Sequence, residues 1–97
     1  YLLQAALIGA GLWGVENQAN PGKRLDIDMY AEGHKVQNAP KLPLNLLDAL
    51  RAFQKNKTLR DILGSEFSDS YFKLKMDEWN RYMQHFSEWE RQNALDV

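Results

Sequence analysis

Charge is distributed very unevenly along this chain of 97 residues. The first 22 residues contain one charged side chain, Glu16, whereas the other 24 lie between residues 23 and 97. Apart from Gln4, residues 2–15 are apolar or glycine, and no polar face separates them. A helix that is apolar all round is buried on all sides in a folded protein, and a domain of fewer than 100 residues can rarely enclose one. The pattern predicts that this segment packs against protein outside the chain or, as an ordinary core helix, against the later helices.

Composition excludes several classes of function. The chain has 12 basic and 13 acidic side chains and a pI near 6.1, so it lacks the basic character of nucleic-acid or anionic-membrane binders. Without cysteine it has no disulfide, thiolate metal site or thiol nucleophile. The apolar opening is shorter than the roughly 20 residues of a membrane span and lacks the basic start of a secretory signal. We therefore expect a cytoplasmic protein with no nucleic-acid or membrane partner. Because the chain starts at Tyr1 rather than Met, we expect part of a longer or processed protein.

Hydrophobic periodicity predicts a mainly α fold. We expect a helix over about 2–16, a polar loop over 17–44, and helices over about 46–56, 59–63, 66–86 and 88–96. The alternation over residues 25–29 is typical of a strand, but it is short and isolated. The loop is long for a compact domain, which indicates a functional segment or one held against a partner.

Local signals predict where the helices begin and end. Asn45 is expected to cap the helix over 46–56, and Gly64 suits the left-handed residue that ends the helix over 59–63. Thr58 with Asp61 resembles a short capped turn. The sequence Ser87-x-x-Glu90 forms a capping box, which predicts a break and a fresh helix.

The helix predicted over 66–86 carries apolar side chains at alternating steps of four and three residues. These are Phe72, Met76, Trp79, Met83 and Phe86. Such a stripe is typical of a core face. We therefore expect Trp79 to be buried, and Trp89, beyond the capping box, to fold back onto this helix.

Three glycines near the start match a dinucleotide-binding motif. Gly9, Gly11 and Gly14 fit G-x-G-x-x-G, and Asp28 lies near the position of a ribose-binding acid. The motif requires a strand before the glycines and a helix after them. Only six residues separate Gly14 from the turn at 21–22, too few for the crossover helix. We favour the alternative, a helix whose small residues allow close packing.

The remaining candidates for chemistry are weak. Neither His34 nor His85 has metal-ligand spacing to another histidine. We expect His34 to lie in a loop and His85 to lie in the last turn of a helix. Lys55, Lys57 and Arg60 indicate a solvated helix end rather than a phosphate groove. The acidic candidates, with basic neighbours, are Asp77, Glu78, Glu88 and Glu90. Acid–base catalysis would need them to converge in a cleft. We therefore predict no catalytic, cofactor-binding or metal-binding residue in this chain.

Eight short motifs occur in order along the chain. They are residues 1–6 (YLLQAA), 10–17 (AGLWGVEN), 20–22 (NPG), 29–30 (MY), 42–50 (LPLNLLDAL), 63–67 (LGSEF), 71–79 (YFKLKMDEW) and 87–91 (SEWER). The series resembles the end of the catalytic region of the glutamine synthetase family. Residues 26–36 (DIDMYAEGHKV) and 39–50 (APKLPLNLLDAL) are most similar to its type III subgroup, which includes glutamate–methylamine ligases.

The resemblance implies the helical C-terminal segment of a larger α+β catalytic domain. It implies an ATP- and magnesium-dependent ligase that makes γ-glutamyl phosphate and joins ammonia, or alternatively methylamine, to it. The family's metal-binding glutamates and phosphate-binding arginines belong to motifs upstream of the position matching Tyr1. None of those roles is therefore carried over, and we expect this chain alone to be inactive, with neither ATP nor magnesium bound. In the family the glycines matching Gly11 and Gly14 lie on a helix.

The resemblance also implies partners. These are the remainder of the catalytic domain and neighbouring subunits of a homo-oligomer of stacked rings. We expect residues 95–97 (LDV) to serve assembly, with a frayed tail as the alternative. Tyr30 lies near a tyrosine that some bacterial members nucleotidylylate, but Ala31 and Glu32 replace the usual Leu-Pro, so we expect a packed loop aromatic. A free-standing helical interaction module is the competing hypothesis.

Overall fold

The computed structural model describes residues 1–37 and 39–94 and is mainly α, as the sequence predicts. The elements are α1 (Leu2–Glu16), α2 (Met29–Glu32), the 3₁₀ helix η1 (Gly33–Lys35), α3 (Leu46–Lys55), α4 (Lys57–Leu63), α5 (Ser65–Met83) and α6 (Glu88–Ala94). The chain divides into two compact units, Tyr1–Leu42 and Pro43–Val97. The described residues form no strand.

Helix α1 begins the first unit and contains all three glycines of the dinucleotide-type motif. It ends at Asn17, whose side-chain amide donates a hydrogen bond of 2.8 Å to the carbonyl oxygen of Trp13. Gln18 follows with a φ of 50° and breaks the helical path. Because the glycines lie inside a helix, and residues 2–8 directly before them are helical as well, they cannot form the phosphate-binding turn of a dinucleotide site.

A continuous loop was expected over residues 17–44. That expectation is wrong for residues 29–35, which form the two short helical elements α2 and η1. The carboxylate of Asp28 accepts hydrogen bonds from the backbone N–H groups of Tyr30 at 2.9 Å and Ala31 at 3.4 Å. An aspartate that satisfies these free N–H groups starts a helix. Asp28 therefore caps α2, and residues 25–29 are not a strand.

Three helices of the second unit pack on one another. Helix α3 packs against both α4 and α5, and α4 packs against α5. Leu50 on α3 is 3% exposed and Ser68 on α5 is fully buried. The rings of Phe53 and Tyr71 meet edge to face with centroids 5.9 Å apart, which joins α3 to α5. The core of this unit lies between these two helices.

Hydrogen bonds fix the helix starts in the second unit. Asn45 accepts from the N–H of Asp48 at 2.9 Å, which confirms its capping role. Helix α4 begins at Lys57 rather than 59, because Asn56, not Thr58, is its cap and accepts from the N–H of Leu59 at 3.0 Å. An asparagine side chain at this position satisfies an N–H group that has no partner within the helix.

The last two helices are separated by a turn. Helix α5 ends at Met83, three residues before the expected end at 86. Beyond it, the N–H of His85 donates to the carbonyl oxygen of Tyr82 at 3.0 Å, which tightens the turn. The capping box is confirmed, since the N–H of Ser87 donates to the Glu90 carboxylate at 2.8 Å and the N–H of Glu90 donates to the Ser87 hydroxyl oxygen at 3.2 Å. Gly64 has the positive φ, 91°, expected of the residue that ends α4.

Candidate functional site

Helix α1 presents apolar side chains in every direction. Its exposed large side chains are Leu3, Leu7, Ile8, Leu12, Trp13 and Val15. At about 100° per residue, Leu7, Ile8 and Trp13 project roughly 100–140° apart around the axis. Exposed apolar patches of this kind mark surfaces that bind protein.

A polar junction ties the three packed helices of the second unit together. The Ser68 hydroxyl donates a hydrogen bond of 3.1 Å to the carbonyl oxygen of Arg60, in the last turn of α4. The Arg60 guanidinium reaches the carboxylate of Asp69 on α5 at 2.6 Å and the carbonyl oxygen of Gln54 on α3 at 3.5 Å. Arg60 therefore has a structural role between helices rather than that of a solvated helix end.

A groove of about 300 Å³ lies where α5 meets α6. It is lined by Tyr82, Met83, His85, Ser87, Trp89 and Glu90. Trp89 is 71% exposed, so the expectation that it folds back onto α5 is wrong. The start of α6 is fixed instead by the hydrogen bonds between Ser87 and Glu90 in the capping box.

The electrostatics of this groove are set by the capping box. The Ser87 hydroxyl donates to the Glu90 carboxylate at 2.7 Å, beside the bond from the Ser87 N–H. These hydrogen bonds to the ionised form hold the pKa of Glu90 below its ordinary value. The Glu90 carboxylate in this groove therefore already accepts the hydrogen bonds of the capping box.

A second groove lies between the start of α3 and α5. Asn45, Leu46, Glu78, Trp79 and Tyr82 line it. Trp79 is half-buried rather than enclosed, and its ring lies 5.7 Å from that of Tyr82. It is therefore a boundary residue, because one side of the indole faces this open groove.

A lysine on the same helix as the second groove has a shifted pKa. The Lys75 ammonium lies 2.6 Å from the Glu78 carboxylate. This hydrogen bond raises the pKa of Lys75, so the ammonium stays protonated at neutral pH. A lysine with a raised pKa is a poor general base.

The two histidines lie apart from any site. His34 lies in η1 rather than in an irregular loop, and it is exposed. His85 lies in the turn after α5, so the expectation of a last-turn helix residue is wrong. Among residues 1–37 and 39–94, no three histidine, aspartate or glutamate side chains come together as a metal-ligand group.

The remaining charged candidates form ion pairs along their own helices. Lys57 pairs with Asp61, Asp77 with Arg81 at 3.0 Å, and Glu88 with Arg91 at 3.6 Å. Pairs spaced three or four residues apart are ordinary features of an exposed helix surface. The carboxylates do not converge in a cleft.

Tyr30 is fully exposed, in the first turn of α2. The expectation that it packs as a loop aromatic is wrong, because its side chain is exposed and its backbone is helical. The side chain of Met29 instead packs on this short segment, with its terminal methyl near Gly33. Residues 95–97, to which the sequence assigned an assembly role, lie outside the described residues. No helix within the described ranges has the length and apolarity to cross a bilayer.

Comparison with known proteins identifies the family. Residues 1–94 match the family model described as "Glutamine synthetase, catalytic domain". The chain belongs to this family. Over its full 97 residues it is 60% identical to a glutamine synthetase of Rhizobium leguminosarum bv. phaseoli, of which it covers 22%. It is 38% identical over 104 residues to a glutamate–methylamine ligase of Methyloversatilis universalis, covering 99% of the chain and 22% of that relative.

A solved structure superposes closely on this chain. That structure, described as "Apo GmaS without ligand", is 50% identical, with a TM-score of 0.89, and the match covers 96% of this chain and 22% of that one. The chain spans about a fifth of the length of the glutamine synthetase relatives that it matches.

Proposed function

We propose that this chain is the helical C-terminal segment of the catalytic domain of an ATP-dependent glutamate–amine ligase. In this role the parent protein joins ammonia to glutamate through γ-glutamyl phosphate. The match of residues 1–94 to the glutamine synthetase catalytic domain carries the proposal. The 60% identity with the Rhizobium leguminosarum enzyme supports ammonia as the amine.

The contribution of this segment is packing and assembly. Magnesium bound with ATP needs carboxylates that converge on one point, and the described residues offer pairs along single helices instead. This donor set does not fit the metal, so no catalytic step is assigned to the chain. Its exposed apolar helix α1 and the groove beside Trp89 are surfaces suited to the rest of the domain and to neighbouring subunits. The parent is proposed to be a cytoplasmic homo-oligomer of stacked rings.

Methylamine is the second candidate amine. The 38% identity with the Methyloversatilis universalis glutamate–methylamine ligase extends over nearly the whole chain and supports it. We propose that either amine is selected by residues elsewhere in the parent, since this chain corresponds to about a fifth of the length of these relatives.

A pair of chimeras tests the proposed role. In each, the segment of the Rhizobium leguminosarum or Methyloversatilis universalis relative that matches this chain is replaced by residues 1–97. We expect ATP-dependent ligase activity in both, with ammonia used in the first host and methylamine in the second. Each host without its segment is the control and should be inactive. A folded chimera that makes no product would contradict the proposal.

The isolated chain provides the complementary measurement. Titration calorimetry with ATP and magnesium should give no binding heat, because the described carboxylates do not converge. Micromolar binding to the chain alone would contradict the assignment of these ligands to the rest of the parent.

A further inference from the structure

We infer that α1 is enclosed on all sides by the part of the catalytic domain outside this chain, which covers the helix as an apolar sleeve. This inference rests on the proposed function and names the partner of α1 within it. The occupant is the remaining polypeptide of the same domain. Its surface around α1 must be concave and uncharged.

The distribution of side chains on α1 requires a partner on every side. Leu7 and Ile8 are each 64% exposed and Trp13 is 43% exposed, and the three point in directions roughly 100–140° apart. A helix lying on a flat surface would need a polar outer face. No such face exists between Leu2 and Val15, and Glu16, the one charged side chain, lies at the last residue.

The length of the relatives indicates which polypeptide covers α1. This chain corresponds to 22% of the Rhizobium leguminosarum glutamine synthetase and of the solved relative, so most of each protein lies outside the matched segment. That polypeptide is large enough to surround a helix of 15 residues. Gly11 offers room for close approach, since a Cβ built on it meets nothing within 4 Å.

A second copy of this chain or a bilayer fits α1 less well. Two α1 helices packed side by side would cover one stripe of each and leave the other directions exposed. With 15 residues, α1 is about 22 Å long, shorter than the ~30 Å hydrocarbon core of a bilayer.

Thiol labelling tests the enclosure directly. The chain has no cysteine, so Leu7→Cys, Ile8→Cys and Trp13→Cys each add one reporter on a different side of α1. Each is placed in the Rhizobium leguminosarum chimera, and peptide mass spectrometry measures its alkylation rate with and without urea. Leu50→Cys reports a position buried within the chain itself. Ala5→Cys and Ala10→Cys repeat the test with a smaller change in volume.

Enclosure predicts that every reporter on α1 reacts at least about 100-fold more slowly in the folded chimera than in urea. In the isolated chain the same reporters should react at close to the urea rate, while Leu50→Cys stays slow. One α1 position that reacts at the urea rate in the folded chimera overturns the inference, as does a chimera that stays unfolded. Protection of one side only, in an isolated chain with the mass of a dimer, would assign α1 to a second copy and also overturn it.

Activity separates this inference from the proposed function. Slow labelling in a folded but inactive chimera would support the enclosure of α1 and reject the ligase assignment. An active chimera in which a position on α1 reacts at the urea rate would support the ligase assignment and reject the enclosure of α1.

Discussion

The buried hydroxyl of Ser68 donates a hydrogen bond of 3.1 Å to the carbonyl oxygen of Arg60. Carbonyl groups in the last turn of a helix lack an N–H partner within it, and the N–H of Gly64 bonds to Asp61 instead. Ser68 on α5 therefore completes the end of α4. The bond joins the two helices, and its donor residue Ser68 has no exposed surface.

Replacing Ser68 by alanine should destabilise the chain. Ser68→Ala leaves the Arg60 carbonyl without its donor, at a cost of about 1–3 kcal/mol in the free energy of unfolding. Ser70→Ala, at an exposed position of the same helix, is the matched control, since it makes the same change in helix propensity. Urea denaturation of both variants measures the difference. Equal midpoints would show that the Ser68 hydroxyl contributes nothing to stability.

Leu50 should be the most sensitive apolar position of the second unit. Leu50→Ala removes a side chain that is 3% exposed, at an expected cost of about 2–5 kcal/mol. Leu44→Ala makes the same chemical change at a side chain that is 96% exposed and should change stability by less than about 0.5 kcal/mol. Thermal or urea unfolding distinguishes them, and a Leu50→Ala variant as stable as Leu44→Ala would contradict the core assignment.

Alanine substitutions at Gly64 and Gly11 should change stability in opposite directions. Gly64 has a φ of 91° and a ψ of 134°, which alanine adopts only with strain, so Gly64→Ala should destabilise the chain by about 1–3 kcal/mol. Gly11 has helical geometry and open space at its Cβ, so Gly11→Ala should favour α1 by about 0.5–1 kcal/mol. Circular dichroism during urea unfolding measures both. Loss of helix in Gly11→Ala would contradict the finding that a Cβ at this position meets no neighbouring atom.

The stability of α6 should depend on pH through Glu90. Hydrogen bonds from Ser87 lower the pKa of Glu90 in the folded state. A lowered pKa stabilises the fold above the ordinary glutamate value of about 4.3, and this contribution is lost as the pH falls through the folded-state pKa. Acidification should therefore unwind α6 (Glu88–Ala94), seen by NMR chemical shifts of its backbone.

Two variants isolate this effect. Glu90→Gln should remove the pH dependence of α6, because an amide does not titrate in this range. Glu88→Gln, in the same first turn, should leave it in place, since Glu88 lies outside the capping box. If α6 in Glu90→Gln still unwinds on acidification, another group controls the transition.

Local interactions were the part of the fold that the sequence could predict. The caps at Asn45 and Ser87, the positive φ of Gly64 and the helical placement of the glycines in α1 depend on neighbouring residues only. Asp28 lies near the position of a ribose-binding acid in a motif that the sequence did not favour, but an aspartate is also a standard helix cap, and in the structure it caps α2.

Contacts between elements were beyond what periodicity could predict. Trp79 and Trp89 belong to apolar patterns, yet one is half-buried and the other 71% exposed, because burial depends on which helix lies opposite. The buried Ser68 gave no signal at all, since serine is mostly exposed and its partner Arg60 lies eight residues away.

The direct passage from α4 into α5 through Gly64 limits how the length of this segment can vary during evolution. An extra residue between Gly64 and Phe67 would turn every later side chain of α5 by about 100° about its axis, away from α3. Insertions and deletions should therefore be rejected there. They should instead accumulate between α1 and α2, where a change of length leaves the pairing of α3 with α5 intact.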